Sequence, residues 1–263
     1  MAVASTNITT TGNSTDLSSY STASITPATN SLILAWVYSI AATAPNTPTA
    51  SGNGLTWVQV DSQLDSDSLR RITLFRAMGA SPTTGAVTFS FGGQTQTGCG
   101  WSLVSYSGID TTGTNGSGAI VQAVKAASVG SATSLTVTLA AFSSANNATA
   151  GGFGLPLNTA GFPAVGSGFS STGASRIASP NLAIGSEFRS TNDTTVDMNA
   201  GANSIPWAGI AVEIKQAVTA TGNVKVHNGT TFVAKPAKVW NGSSHVTKPA
   251  KVYNGSTWVV TSY

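Results

Sequence analysis

The sequence predicts an all-β chain. A jelly-roll-like antiparallel β-sandwich is expected over residues 1–216, a linker at 217–223, and a small module of three β-hairpin repeats over 224–263. Three observations carry this. Short apolar runs alternate with a period of two, as half-buried strands do. The chain holds 28 glycines and many threonines, which disfavour long helices. A phrase built on Asn-Gly recurs three times at the end, and Asn-Gly between short runs is a strong hairpin signal.

Composition sets the frame. Of the 263 residues, 41% are hydrophobic but only 8% are charged, against about 25% in an average soluble domain. Ser, Thr, Asn, Gln and Gly must therefore supply the polar surface. The opening MAVASTNITTTGNSTD has neither a basic nor an apolar region, so no signal peptide is expected. The most apolar stretch, LILAWVYSIAATA from Leu32 to Ala44, is shorter than the roughly 20 residues a spanning helix needs. It reads as a buried strand, and no membrane insertion is expected. Cys99 is the single cysteine, which rules out an internal disulfide.

The strand candidates follow in order: SLILAWVYSI, GLTWVQVDS, RRITLFRAMG, GAVTFSFGG, GWSLVSYSGI, AIVQAVKAA, SLTVTLAAF, NLAIGSEFRS and PWAGIAVEIKQ. In AVTFSF, Val87, Phe89 and Phe91 share one face; in SLTVTLA, Leu135, Val137 and Leu139 do. About nine or ten strands at this spacing suit a two-layer sandwich. Trp36, Trp57, Trp101 and Trp207 fall in these runs and are expected in the core. Residues 151–180, rich in Gly and Ser, read as one strand followed by a long surface loop carrying Phe153, Phe162 and Phe169.

The repeats align on Lys225, Lys238 and Lys251, thirteen residues apart. Each copy reads Lys, Val, an aromatic or His, Asn-Gly, two hydroxyl residues, an aromatic or His, Val. A four-residue loop pairs His227 with Phe232, Trp240 with His245 and Tyr253 with Trp258, with Val opposite Val on the other face. A single hairpin is marginal in water, so the module is expected to need the preceding domain or neighbouring copies. From Val218 to Tyr263 there are five lysines and no acid, a charge of +5, while the remainder carries −2 and the whole chain +3. Solubility of a small β-appendage explains this more simply than attraction to an anionic partner.

Reactive groups are sparse. The only histidines, His227 and His245, occupy equivalent repeat positions and read as stand-ins for aromatics. No catalytic or phosphate-binding motif stands in a suitable context. Cys99 reads as a buried filler. Glu187 and Glu213 lie in different strands and could meet across a sheet, as a glycosidase pair would have to. Asp61, Asp65 and Asp67 form the one acidic cluster and read as a solvated loop. The expectation is a non-enzyme with no catalytic residue, no metal and no cofactor. Trp and Tyr near turns, set among Asn, Ser and Thr, can stack on sugar rings. Trp240, Tyr253, Trp258, His227 and His245 are the candidate ligand-binding residues, with mutual packing as the competing role.

The tail resembles the K-V-W-N-G-S-x-W-V repeats that close many minor tail and other structural proteins of tailed bacteriophages. The segments SITPATNSLILAWVYSI, SGNGLTWVQVDSQ, RRITLFRAMG, GAVTFSFGG and WSLVSYSGID resemble a β-sandwich domain of phage and bacterial surface proteins. His245 stands where the third copy has Trp258, and His227 and Phe232 fill the first copy. The resemblance implies a non-enzymatic virion protein, made in the host cytoplasm, on a tail or fibre or as a capsid decoration. It implies other virion proteins and a homo-oligomer as partners, a trimer being favoured, with a host-surface glycan as ligand and no nucleic acid.

Overall fold

The computed structural model describes residues 2–157, 162–200 and 205–217, then 223–227, 230, 232–236, 238–240, 242–247, 251–253 and 258–260. Beyond residue 217, side chains are described only at 230, 239–240 and 242–246. The chain divides into two compact units, Met1–Ala217 and Val218–Tyr263. It is all-β, with antiparallel pairings throughout the described strands.

Among its described residues the first unit holds sixteen strands, not the expected nine or ten, and they fall into two sets of eight. The first set is β1 (Ala4–Asn13), β2 (Ser19–Ser21), β3 (Leu32–Ile40), β4 (Thr49–Gly52), β5 (Val58–Leu64), β6 (Arg70–Ala77), β7 (Val87–Ser90) and β8 (Gly98–Ser107). The second is β9 (Ile120–Ala127), β10 (Ser134–Thr138), β11 (Ala148–Leu155), β12 (Ala164–Val165), β13 (Ser170–Ile177), β14 (Leu182–Arg189), β15 (Thr195–Asn199) and β16 (Ala208–Ile214). The first set makes a five-stranded sheet in the order β1-β8-β3-β6-β5 and a three-stranded sheet β2-β7-β4. The second makes β9-β16-β11-β14-β13 and β10-β15-β12. Adding eight to every strand number converts one order into the other, so the unit is an internal duplication.

The register agrees. In β5 one extra residue, Val60, bulges opposite Phe75 and Leu74; in β13 Thr172 bulges opposite Glu187 and Ser186. Phe75 pairs with Ala35 and Glu187 with Gly151. Ala35 and Gly151 are therefore equivalent. Following the ladders outward matches Ser105 with Glu213 and Thr6 with Gln122. Bulges also interrupt β1 against β8 and β9 against β16, whereas the ladders among the inner strands are unbroken.

Side-chain alternation produces four layers from this pattern. The two five-stranded sheets pack face to face, with Leu32, Leu34, Trp36 and Tyr38 of β3 meeting Ala148, Ala150, Ile184 and Ile210 from the other half. On its outer face each sheet is covered by its own three-stranded sheet. Tyr20, Val87 and Phe89 close the first core, and Leu135, Val137, Val196 and Met198 the second. All four expected tryptophans are buried, and so is Cys99, whose thiol pKa burial pushes up. The segment 151–180 is corrected: it contains β12 and the edge strand β13, and Phe153 and Phe169 belong to the second core. Gly151, Gly152, Gly154 and Gly173 are small residues packed in a sheet, whereas Gly168, at φ 81°, sits in the turn between β12 and β13.

The central contact fits large against small. A Cβ at Gly152 would fall inside the Trp36 indole, and one at Gly154 inside the Tyr38 ring. Trp36 Nε1 donates to the Ile210 carbonyl at 3.0 Å, so the buried indole is satisfied across the two halves. A chain of hydroxyls joins the sheets near one edge: Thr10 to Ser102 at 3.0 Å, Ser102 to Ser186 at 2.7 Å, Ser186 to Thr172 at 2.7 Å. At the opposite edge Lys125 reaches Asp61 at 2.7 Å.

Gly152→Ala is expected to destabilise the protein by about 1–3 kcal/mol, because the added methyl has to displace a well-packed ring. Trp36→Phe should relieve part of that cost, so the double variant should be less destabilised than the sum of the singles. Denaturant unfolding of the four proteins checks this; strict additivity would refute the contact.

Candidate functional site

The described residues of the second unit form three two-stranded sheets. They pair β17 (Asn223–His227) with β18 (Phe232–Pro236), β19 (Lys238–Trp240) with β20 (His245–Thr247), and β21 (Lys251–Tyr253) with β22 (Trp258–Val260). The register is the one expected from a four-residue loop. His227 stands opposite Phe232, Trp240 opposite His245 and Tyr253 opposite Trp258, and Val226, Val239 and Val252 face Val233, Val246 and Val259. Asn-Gly sets this geometry because both residues accept positive φ; Gly242 sits at φ 99°.

Of the five candidate residues, Trp240 and His245 are brought together. Their ring centroids lie 5.1 Å apart, edge to face. Trp240 is 57% exposed and Val239, on the opposite face, 52%. The pair thus keeps most of one indole face in water, a poor arrangement for a core and a suitable one for stacking on a flat ligand. The side chains of His227, Tyr253 and Trp258 lie outside the described residues, although their strand positions are described.

The acidic groups fold into the first unit. Asp61 pairs with Lys125. Asp65 is buried, which corrects the expectation of a solvated loop: it accepts from Tyr38 Oη at 3.2 Å and lies 3.7 Å from Arg70, which also holds Asp67 at 2.5 Å. Burial, with Asp67 beside it, raises the Asp65 carboxyl to about 7. Among the described residues no group of His, Cys, Asp and Glu is arranged to hold a metal ion.

Glu187 and Glu213 flank β11, opposite Gly151 and Thr149, and both are fully buried. Two strand spacings, about 10 Å, and a further two residues along the strand separate their backbones. Glu213 is saturated with donors: Gln122 Nε2 at 2.7 Å, Asn147 Nδ2 at 2.6 Å, Ser143 Oγ at 2.9 Å and the Ser143 N–H at 3.1 Å. One oxygen of Glu187 accepts from the Gly166 N–H at 3.0 Å, and its other oxygen, Oε1, has no partner among the described residues. Burial pushes its carboxyl up to about 8, with Asp197 and Asp193 adding to the effect.

Sequence reading missed a groove of about 500 Å3 between β1, the segment 24–31 and the end of β8. Its one sequence signal is the density of hydroxyls in ASTNITTTGN and STASIT. Spread over strands that meet only in the fold, these residues look like ordinary surface.

Between its ordinary value of 4.5 and about 8, Glu187 keeps a proton in the folded chain that the unfolded chain has released. Stability should therefore fall as pH rises through this window, by up to about 1.4 kcal/mol per unit from this group, and level off above it. Glu187→Gln should make the fall shallower in denaturant titrations between pH 5 and pH 8, leaving the part that Asp65 contributes below about pH 7. An unchanged slope would refute the assignment.

No family model, no curated protein and no solved structure matches the chain.

Proposed function

We propose that this chain is a non-enzymatic structural protein of a tailed-phage virion, exposed on the particle. On this reading it is a minor tail or fibre-type component that meets host-surface glycans or neighbouring virion proteins through its hairpin repeats. The observation that carries the reading is Trp240, held open by a hairpin turn beside His245. The surrounding unit, Val218–Tyr263, contains five lysines and no acid, so anionic surfaces attract it at long range. The strand orders support a jelly-roll reading of each half of the first unit. Strands one, eight, three and six share one sheet, with strand five added at its edge, and strands two, seven and four form the other. A rigid, weakly charged double sandwich suits the role of a scaffold presenting a small recognition module.

Two neighbouring readings are a capsid decoration or head-fibre protein and a stand-alone carbohydrate-binding module. The second is favoured by the same exposed indole. Electron microscopy of purified particles separates the first two: a tail component sits at the tail in few copies, a decoration protein follows capsid symmetry. Solution mass by light scattering tests the expected homo-oligomer. Trp240→Ala should weaken binding to host envelope glycans roughly three- to tenfold, the loss of one stacking contact. Unchanged binding by Trp240→Ala would remove the hairpin from the recognition surface.

A further inference from the structure

The duplication allows the same place to be compared in both halves of the first unit. In the second half, the corner formed by the edge strand β9, the segment between β10 and β11, and β16 is filled. Glu213 projects into it, and Gln122, Ser143 and Asn147 close around its carboxylate. In the first half the equivalent corner is formed by β1, the segment between β2 and β3, and β8. There Ser105 replaces Glu213 and Thr6 replaces Gln122. Two short hydroxyl side chains stand where the other half has a carboxylate and a carboxamide. The result is the open groove of about 500 Å3.

The lining has a distinct chemistry. The hydroxyls of Thr6, Ser24, Ser31, Ser105 and Ser107 have no hydrogen-bond partner among the described residues. Asn7 is anchored by its carboxamide, which donates to Thr10 Oγ1 at 2.7 Å and to the Thr172 carbonyl. Ile8, the extra residue of the β1 bulge, and the buried Ile25 and Pro27 supply an aliphatic patch. No Asp, Glu, Lys, Arg or His lines the groove. Phosphate or carboxylate ligands would find no countercharge, and a lipid chain would strand five hydroxyls without partners. A neutral, polyhydroxylated ring meets both requirements: its C–H face covers the aliphatic patch and its hydroxyls exchange hydrogen bonds with Ser and Thr. The volume falls in the ~300–1,000 Å3 range of small-molecule clefts.

From this we infer that the groove of the first half is a binding site for a short neutral oligosaccharide, and that Glu213 and its partners close the corresponding site in the second half. This does not depend on the hairpin repeats or on a virion role. With no aromatic ring in the lining, the affinity is expected in the millimolar range.

The test is an NMR titration of the full isotope-labelled chain with neutral trisaccharides of glucose, galactose, mannose and N-acetylglucosamine. Saturable amide shifts at Thr6, Ile25, Ser31 and Ser105 with at least one of them are expected. Ser105→Gln extends a side chain into the groove, and Ala28→Trp fills it from the exposed rim. Each should weaken binding at least tenfold while thermal unfolding stays at the parent value, and Trp240→Ala should leave the shifts of the groove amides unchanged. The proposal is overturned if no trisaccharide shifts the groove amides saturably. Full binding by a folded Ala28→Trp variant, or shifts that vanish in Trp240→Ala, would overturn it equally.

Discussion

The first unit depends on one contact: two five-stranded sheets pressed face to face, with Trp36 and Tyr38 seated on Gly152 and Gly154. Neither sheet has another way to bury that face. If both halves carried large residues on their central strands, the sheets would stand too far apart; if both carried small ones, a void would run between them. The duplicated halves have divided the volume unequally, and that division fixes which half lies against which. The Trp36 hydrogen bond to Ile210 adds direction to a contact that packing alone leaves free to slide.

The halves share a scaffold and differ in chemistry. Equivalent register positions hold Phe75 in one core and Glu187 in the other, and Ser105 in one corner and Glu213 in the other. Once the second half had a partner sheet and a covering sheet, its ladders tolerated buried carboxyls, each held by donors that the fold brings from distant segments. Glu187 is the incompletely satisfied one, and its cost appears as a proton that it does not give up at neutral pH.

Legibility in the sequence followed the range of the determining contacts. The hairpin register was readable because every term is local: Asn-Gly, Val opposite Val, and an aromatic on each arm within ten residues. All nine quoted strand candidates are strands, because their alternation is intact. Of the segment 151–180 the first strand, β11, was legible, while β13 was obscured. ATAGGFGL is small because Trp36 and Tyr38 need the room, and SSTGASRI is polar because it lies at an edge. The duplication was hidden for the same reason. The constraint acts on strand order and bulge position, while core residues were exchanged in compensating sets. At the candidate site, the pairing of Trp240 with His245 was legible. The buried Asp65 was not, since its partner Tyr38 lies 27 residues away in the chain.

The bulges have a consequence beyond register. They interrupt all four outer strands of the two five-stranded sheets, β1, β5, β9 and β13. An outer strand ordinarily offers a regular row of amides and carbonyls to any other extended chain. An extra residue twists that row and puts its donors out of step with an incoming strand. Two copies that meet are thus kept from merging into a continuous sheet. A chain with so little charge to repel its neighbours has a backbone safeguard against fibre formation.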